Sequence, residues 1–168
     1  MDKIAMGGGC HWCTEAVFQE LNGVQKVEQG FVASNGKISS FSEAVIVHFD
    51  SDVISLSDLI EIHLHTHRST SNHSMRDKYR SAIYTFNFEQ HRKAEKVVKR
   101  LQSKFHLPLV TKVLPFARFK PSADQFKNYY SKNPEKPFCK RYIDPKLELL
   151  QERFSKKLVG KKSISSEN

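Results

Sequence analysis

The chemistry in this chain gathers around its first cysteine. Cys10 stands in Gly7-Gly8-Gly9-Cys10-His11-Trp12-Cys13, behind the short apolar run Ile4-Ala5-Met6 and ahead of a segment with helical spacing. A helix N-terminus presents unpaired N–H groups and a partial positive charge, which favours thiolate over thiol. The glycines allow a tight turn and a close approach to the backbone. Cys10 therefore reads as a nucleophile. Cys13 lies three residues on, one turn along the same helical face, so the two sulfurs could close a disulfide or share a metal. Structural zinc normally takes four ligands, there is no second Cys-x-x-Cys, and Cys139 stands alone far downstream. A redox pair is the better reading. His63 and His67 would meet on one helical face, with His65 beside them and His73 as a conceivable third ligand. A solvent-facing loop is the simpler reading of that cluster, and no metal is expected.

The positioning elements follow from hydrophobic spacing. Residues 3–6 read as a strand and 10–21 as a helix with Trp12, Ala16, Val17 and Leu21 at helical intervals, stopped by Asn22-Gly23. Residues 24–33 and 42–49 read as strands joined through an Asn35-Gly36 turn. A helix over 55–65 is capped by Ser55 or Ser57, and 65–78 reads as loop. A strand at 79–86, an amphipathic helix at 87–105 opened by Asn87, and a strand at 109–119 limited by Pro115 come next. Helices at 122–131 and 145–158 finish the domain. The order βαββαβ followed by αβα predicts one α+β domain over 1–158, a mixed sheet with a split-βαβ (ferredoxin-like) core and additional C-terminal helices. Residues 159–168 read as a flexible tail.

The 168-residue length suits a single domain, and a chain 27% charged and 39% hydrophobic is of globular type. No apolar run is long enough to span a bilayer, and the N-terminus lacks the apolar core of a signal peptide, so a cytoplasmic monomer is expected. The formal net charge of +9 is concentrated around residues 92–104 and in the tail. It reads as solvated surface, since no nucleic-acid recognition motif accompanies it.

The segment Gly9-Cys10-His11-Trp12-Cys13-Thr14-Glu15 resembles the Gly-Cys-Phe-Trp-[Gly or Cys]-x-Glu motif of type A peptide methionine sulfoxide reductases. Further similarities follow in order. Leu21-Asn22-Gly23-Val24 resembles the family's Leu-x-Gly-Val. Ser42-Glu43-Ala44-Val45-Ile46-Val47-His48-Phe49-Asp50 resembles its Ala-Glu-Val-Val-x-Val-x-Tyr-Asp strand. Ile62-His63 stands where the family has the histidine closing its second helix. Tyr79-Arg80-Ser81-Ala82-Ile83-Tyr84 resembles the Gln-Tyr-Arg-Ser-Ala-Ile-Tyr block, and residues 121–139 its C-terminal cysteine segment.

Sulfoxide reduction needs a nucleophile at sulfur and a proton for the departing oxygen. The resemblance implies Cys10 for the first and Glu43 for the second, helped by Tyr79, if burial raises the Glu43 pKa toward neutrality. Taken alone, Glu43 reads as readily as a strand-end carboxylate. Trp12, His11 and Phe31 would line the pocket for the substrate methyl, with Arg80 and Glu15 as supporting ion-pair residues. Cys10 would become a sulfenic acid, condensed to a disulfide by Cys13 or by Cys139 as resolving and recycling thiols. The resemblance further implies the S epimer of methionine sulfoxide as substrate and thioredoxin, or another external dithiol, as reductant, without a bound cofactor. Three departures stand out. His11 replaces a phenylalanine, Phe31 replaces a tyrosine, and Ser74-Met75-Arg76-Asp77-Lys78 replaces an Asp-x-Gly-Thr-Gln run. Two other readings of the chain are a general thiol–disulfide oxidoreductase using Cys10 and Cys13, and a non-catalytic basic binding protein.

Overall fold

The computed structural model describes residues 1–159. Strand β1 (Asp2–Gly7), helix α1 (His11–Gln19), strands β2 (Val24–Ala33) and β3 (Ser42–Phe49), helix α2 (Leu56–Thr66) and strand β4 (Ala82–Thr85) form the βαββαβ unit. These strands lie in the order β4-β1-β3-β2, each antiparallel to its neighbour, which is the expected ferredoxin-like arrangement. Side chains alternate across the sheet. Ile4, Met6, Val45 and Val47 pack with Val17, Phe18 and Leu21 of the α1 segment and Leu59, Ile60 and Leu64 of α2. Ala5, Ala44, Ile46, Ala82 and Tyr84 point to the other face. Fully burying one such large side chain stabilises by about 1.5–3 kcal/mol.

Helix α2 starts at a reciprocal cap, in which Ser55 Oγ accepts the Asp58 N–H and Asp58 accepts the Ser55 N–H. It is His67, rather than His63, that closes α2; His63 lies inside its last turn. Helix α3 (Phe88–Leu101) opens on Asn87, whose side chain accepts the Gln90 N–H.

The expected strand over 109–119 is two strands, β5 (Lys112–Pro115) and β6 (Arg118–Pro121). β5 lies parallel to β4 at one edge and β6 antiparallel to β2 at the other. Two residues span between them: Phe116 N–H bonds Thr85 O and Ala117 N–H bonds Ala33 O. The sheet therefore curls around its second face, where the Phe116 ring stacks on Phe86 at 4.4 Å. The expected 122–131 helix is also broken. A single turn at Asp124–Phe126 precedes the short helix α4 (Tyr129–Lys132), because Asn128 takes a left-handed conformation with φ 56°. A π-helical turn, Cys139–Ile143, leads into α5 (Asp144–Phe154). The predicted strand over 79–86 shortens to β4; Arg80 N–H bonds the Ser42 side chain on the approach loop. Of the tail expected over 159–168, Val159 donates to Glu20 O, and 160–168 lie outside the described residues.

Candidate active site

Cys10 is the N-cap of α1. The turn that delivers it is dense. A Cβ on Gly7 would come within 2.6 Å of Glu43 O, and one on Gly8 would meet the His67 ring. The Cys13 thiol hydrogen-bonds the Cys10 sulfur, with the Trp12 and Cys13 N–H groups adding to it. Together these overcome burial and the Glu43 charge and hold the Cys10 thiol below its ordinary range. The reciprocal effect, with burial, pushes Cys13 well above that range. One negative charge on the pair thus sits on Cys10, which is partly exposed while Cys13 is buried.

Glu43, near the start of β3, is buried, and its Oε1 accepts the His11 N–H at 3.1 Å. The carboxylate is tied to the first turn of the helix that carries the thiol. His11 is buried as well; its Nδ1 meets Gly30 O at 2.9 Å and its Nε2 lies 3.4 Å from Glu43 Oε1. Because a carbonyl oxygen only accepts, Nδ1 carries a proton. Phe31 meets the His11 ring edge-on at 5.1 Å, so these two substituted positions touch each other. Lys78 reaches the same place, with Nζ 3.8 Å from Glu43 Oε2 and 5.2 Å from the centre of the Tyr79 ring. Hydrogen bonding to Tyr79, then the Tyr79 and Glu43 charges, raise the Lys78 pKa. Where the family motif carries an Asp-x-Gly-Thr-Gln run, this chain presents a cation to the carboxylate.

Trp12, expected to line the pocket for the substrate methyl, is covered on one face. Tyr129 stacks on it at 3.9 Å with the planes 7° apart, and Phe138 packs edge-on at 5.3 Å. Glu15 sets this up from inside the fold. Its buried carboxylate accepts from Gln29 Nε2 and from the N–H groups of Asn128 and Tyr129. Neither Glu15 nor Arg80 makes the expected ion pair among the described residues. Arg80 donates instead to Tyr84 Oη and to Ser40.

The three cysteines share one packing cluster. Cys13 and Cys139 are buried in one cluster with Ala16 and Ile143, and Cys10 packs against it. The histidines do not assemble a site. His63 bonds Gly7 O, and His67 bonds His63 O and Ser81 Oγ. His73 lies apart on the loop, bonding Met75 N–H. Among the described residues no group of three or more His, Cys, Asp or Glu could hold a metal, and no helix is long and apolar enough to cross a membrane. Sequence reasoning missed Tyr129 and Lys146, and it noted Lys78 only as part of a substituted run. Their proximity to the site comes from long-range packing and leaves no local pattern.

Comparison with known proteins bears on the family and the fold. The family model described as peptide methionine sulfoxide reductase matches residues 2–158. The chain is 36% identical to the peptide methionine sulfoxide reductase MsrA of Deinococcus radiodurans, over 94% of this chain and 84% of that one. Its fold is similar to that of methionine sulfoxide reductase A of Corynebacterium diphtheriae, with TM-score 0.70, 25% identity, and 80% and 76% of the two chains covered. It is also similar to Mxr1 from Saccharomyces cerevisiae solved in complex with Trx2, with TM-score 0.60, 22% identity, and coverage of 76% and 84%. With the matched model spanning nearly its whole length, this chain belongs to the peptide methionine sulfoxide reductase family.

Proposed function

We propose that the chain reduces the S epimer of methionine sulfoxide, in proteins or free, with Cys10 as nucleophile and Glu43 as proton donor. The observation that carries this reading is the junction of a lowered thiol with a buried carboxylate on one helix turn. The Cys10 thiolate attacks the sulfoxide sulfur. A proton is relayed to the oxygen through Glu43, with Tyr79 and Lys78 beside it. The S–O oxygen passes to Cys10, methionine departs, and Cys10 is left as a sulfenic acid. Cys13 then attacks the Cys10 sulfur and releases water, forming a Cys10–Cys13 disulfide. Cys139, in the same buried cluster, can exchange into it. An external dithiol, thioredoxin in this reading, restores the thiols. The Trp12, His11 and Phe31 side chains would border the methyl group, giving a more polar pocket than phenylalanine and tyrosine would. Three free thiols suit a reducing, cytoplasmic compartment.

Turnover of the separate methionine sulfoxide epimers with dithiothreitol tests the proposal. Methionine should appear from the S epimer with wild type and vanish with Cys10→Ser. No turnover of either epimer would sink it.

A further inference from the structure

Behind the two reacting sulfurs lies a small cavity of about 40 Å³ bordered by Cys10, Cys13, Thr66, His63, His67 and Lys146. Glu43 and Tyr79 do not border it. Lys146 comes from α5, the last helix, and its ammonium donates to Thr66 O at the end of α2. Nothing in the reaction described above uses it. Among the described residues it is the only lysine or arginine that borders the cavity. Burial keeps the two histidines there from serving as cations, against backbone hydrogen bonds that favour the charged form; His63 is pushed down to about 4 and His67 well below its ordinary value. Half-burying a lysine beside two thiols is costly unless a negative charge forms next to it.

We propose that Lys146 is the positioning cation for the resolving step, holding Cys13 as a thiolate once Cys10 has been oxidised. This inference rests on the reductase reading above. In the reduced enzyme the negative charge sits on Cys10, and Cys13 serves as its donor. Oxidation removes that charge, since a sulfenic acid is neutral. Cys13 must then ionise in a buried place. Its proton is lost, its sulfur attacks Cys10 Sγ, the S–O bond breaks, and hydroxide leaves and takes up a proton. The sum is one sulfenic acid and one thiol giving one disulfide and water. Cys13 is oxidised, Cys10 is reduced, and the Lys146 ammonium is unchanged across the step. Mutual attraction is visible in the resting state: burial lowers the Lys146 pKa while Cys13 and Cys10 pull it back up, and Lys146 in turn lowers Cys13. Cys139, on the turn before α5, also packs with the thiols, and Glu43 opposes the charge on Cys10 from β3. Arg76, which acts on the histidines, has its guanidinium spent on Gly8, Ser71, Arg68 and Tyr79 carbonyls.

The experiment is a single turnover without reductant. It follows methionine release, sulfenic acid trapped by a cyclic diketone, and the Cys10–Cys13 disulfide by mass spectrometry. Lys146→Gln keeps a donor for Thr66 O but no charge; Lys146→Arg keeps the charge. A neighbouring cation shifts a thiol by about 1–3 units, and half of that is offset by changed nucleophilicity, so disulfide closure should slow roughly three- to thirtyfold in Lys146→Gln. The ratio of closure to methionine release should fall by that factor, trapped sulfenic acid should rise, and Lys146→Arg should recover most of the loss. Equal ratios in wild type and Lys146→Gln, or equal slowing in the Gln and Arg variants, would overturn the assignment. A parallel arm forms the Cys10 sulfenic acid with one equivalent of hydrogen peroxide. If closure there depends on Lys146 while no methionine forms from sulfoxide, the cation's role stands and the reductase reading fails.

Discussion

Each of the two groups that carry the chemistry is held by a residue in the first turn of α1. Cys10 is held as a thiolate chiefly by Cys13, so the pH midpoint for alkylation of Cys10 by iodoacetamide should lie below the ordinary thiol range. The sign follows from linkage: the lowered thiol is ionised, and reactive, at pH values where a free cysteine is still protonated. Cys13→Ala should move that midpoint upward, and an unmoved midpoint would contradict the hydrogen bond as its main cause. Glu43 is held by the His11 N–H. Glu43→Gln keeps that acceptor but removes the acid–base group, and should reduce kcat for methionine sulfoxide by about 10²- to 10⁴-fold while Cys10 is still alkylated at least as readily as in wild type. Loss of both together would point to a collapsed site.

At the scale of elements, α1 acts as a bracket. Its outer end carries Cys10, and Glu15 one turn further in ties down the backbone at Asn128 and Tyr129. That hold places Tyr129 on Trp12 and carries the chain on toward Cys139. Glu15→Gln loses one acceptor oxygen and the charge, and each hydrogen bond to a charged group is worth about 1.5–3 kcal/mol. Limited proteolysis should then cut faster within 127–138, and Cys139 should become open to alkylation in the folded enzyme. Unchanged cleavage would mean the segment is held by its aromatic contacts alone. Helix α2 depends on its cap instead; Ser55→Ala should cost about 1 kcal/mol in a urea melt with catalysis unaffected.

For the molecule as a whole, the glycine turn is backed by a stacked histidine pair, buried His63 and half-buried His67, whose rings lie 4.2 Å apart. Burial depresses both, His63 to about 4. In the unfolded chain they take protons near pH 6.5. Their contribution to stability is therefore complete above that pH and is lost as pH falls toward about 4. Urea midpoints at pH 7 and pH 5 should show this loss, and His67→Gln, which retains a polar partner for Ser81, should flatten the slope. Equal slopes would assign the acid sensitivity elsewhere.

The sequence alone determined much that is local or periodic. Strands β2 and β3 were legible to the residue, because Val24–Ala33 and Ser42–Phe49 alternate or run apolar between turn residues. The caps at Ser55 and Asn87 and the thiol at a helix start were legible for the same reason: each depends on a few adjacent residues. Only the tertiary structure decided the rest. Residues 109–119 read as one strand, yet Pro115 has no N–H to extend the ladder, and the curled sheet places the two halves on opposite edges. Residues 122–131 have helical composition, yet a carboxylate over a hundred positions away claims their N–H groups. Around Cys10 the division is the same. The thiol and its partner Cys13 could be read from spacing, whereas Lys78 against Glu43, Tyr129 over Trp12 and Lys146 behind the sulfurs arrive through packing of distant segments. No sequence period encodes such contacts, because their energy is gained only when the core is closed.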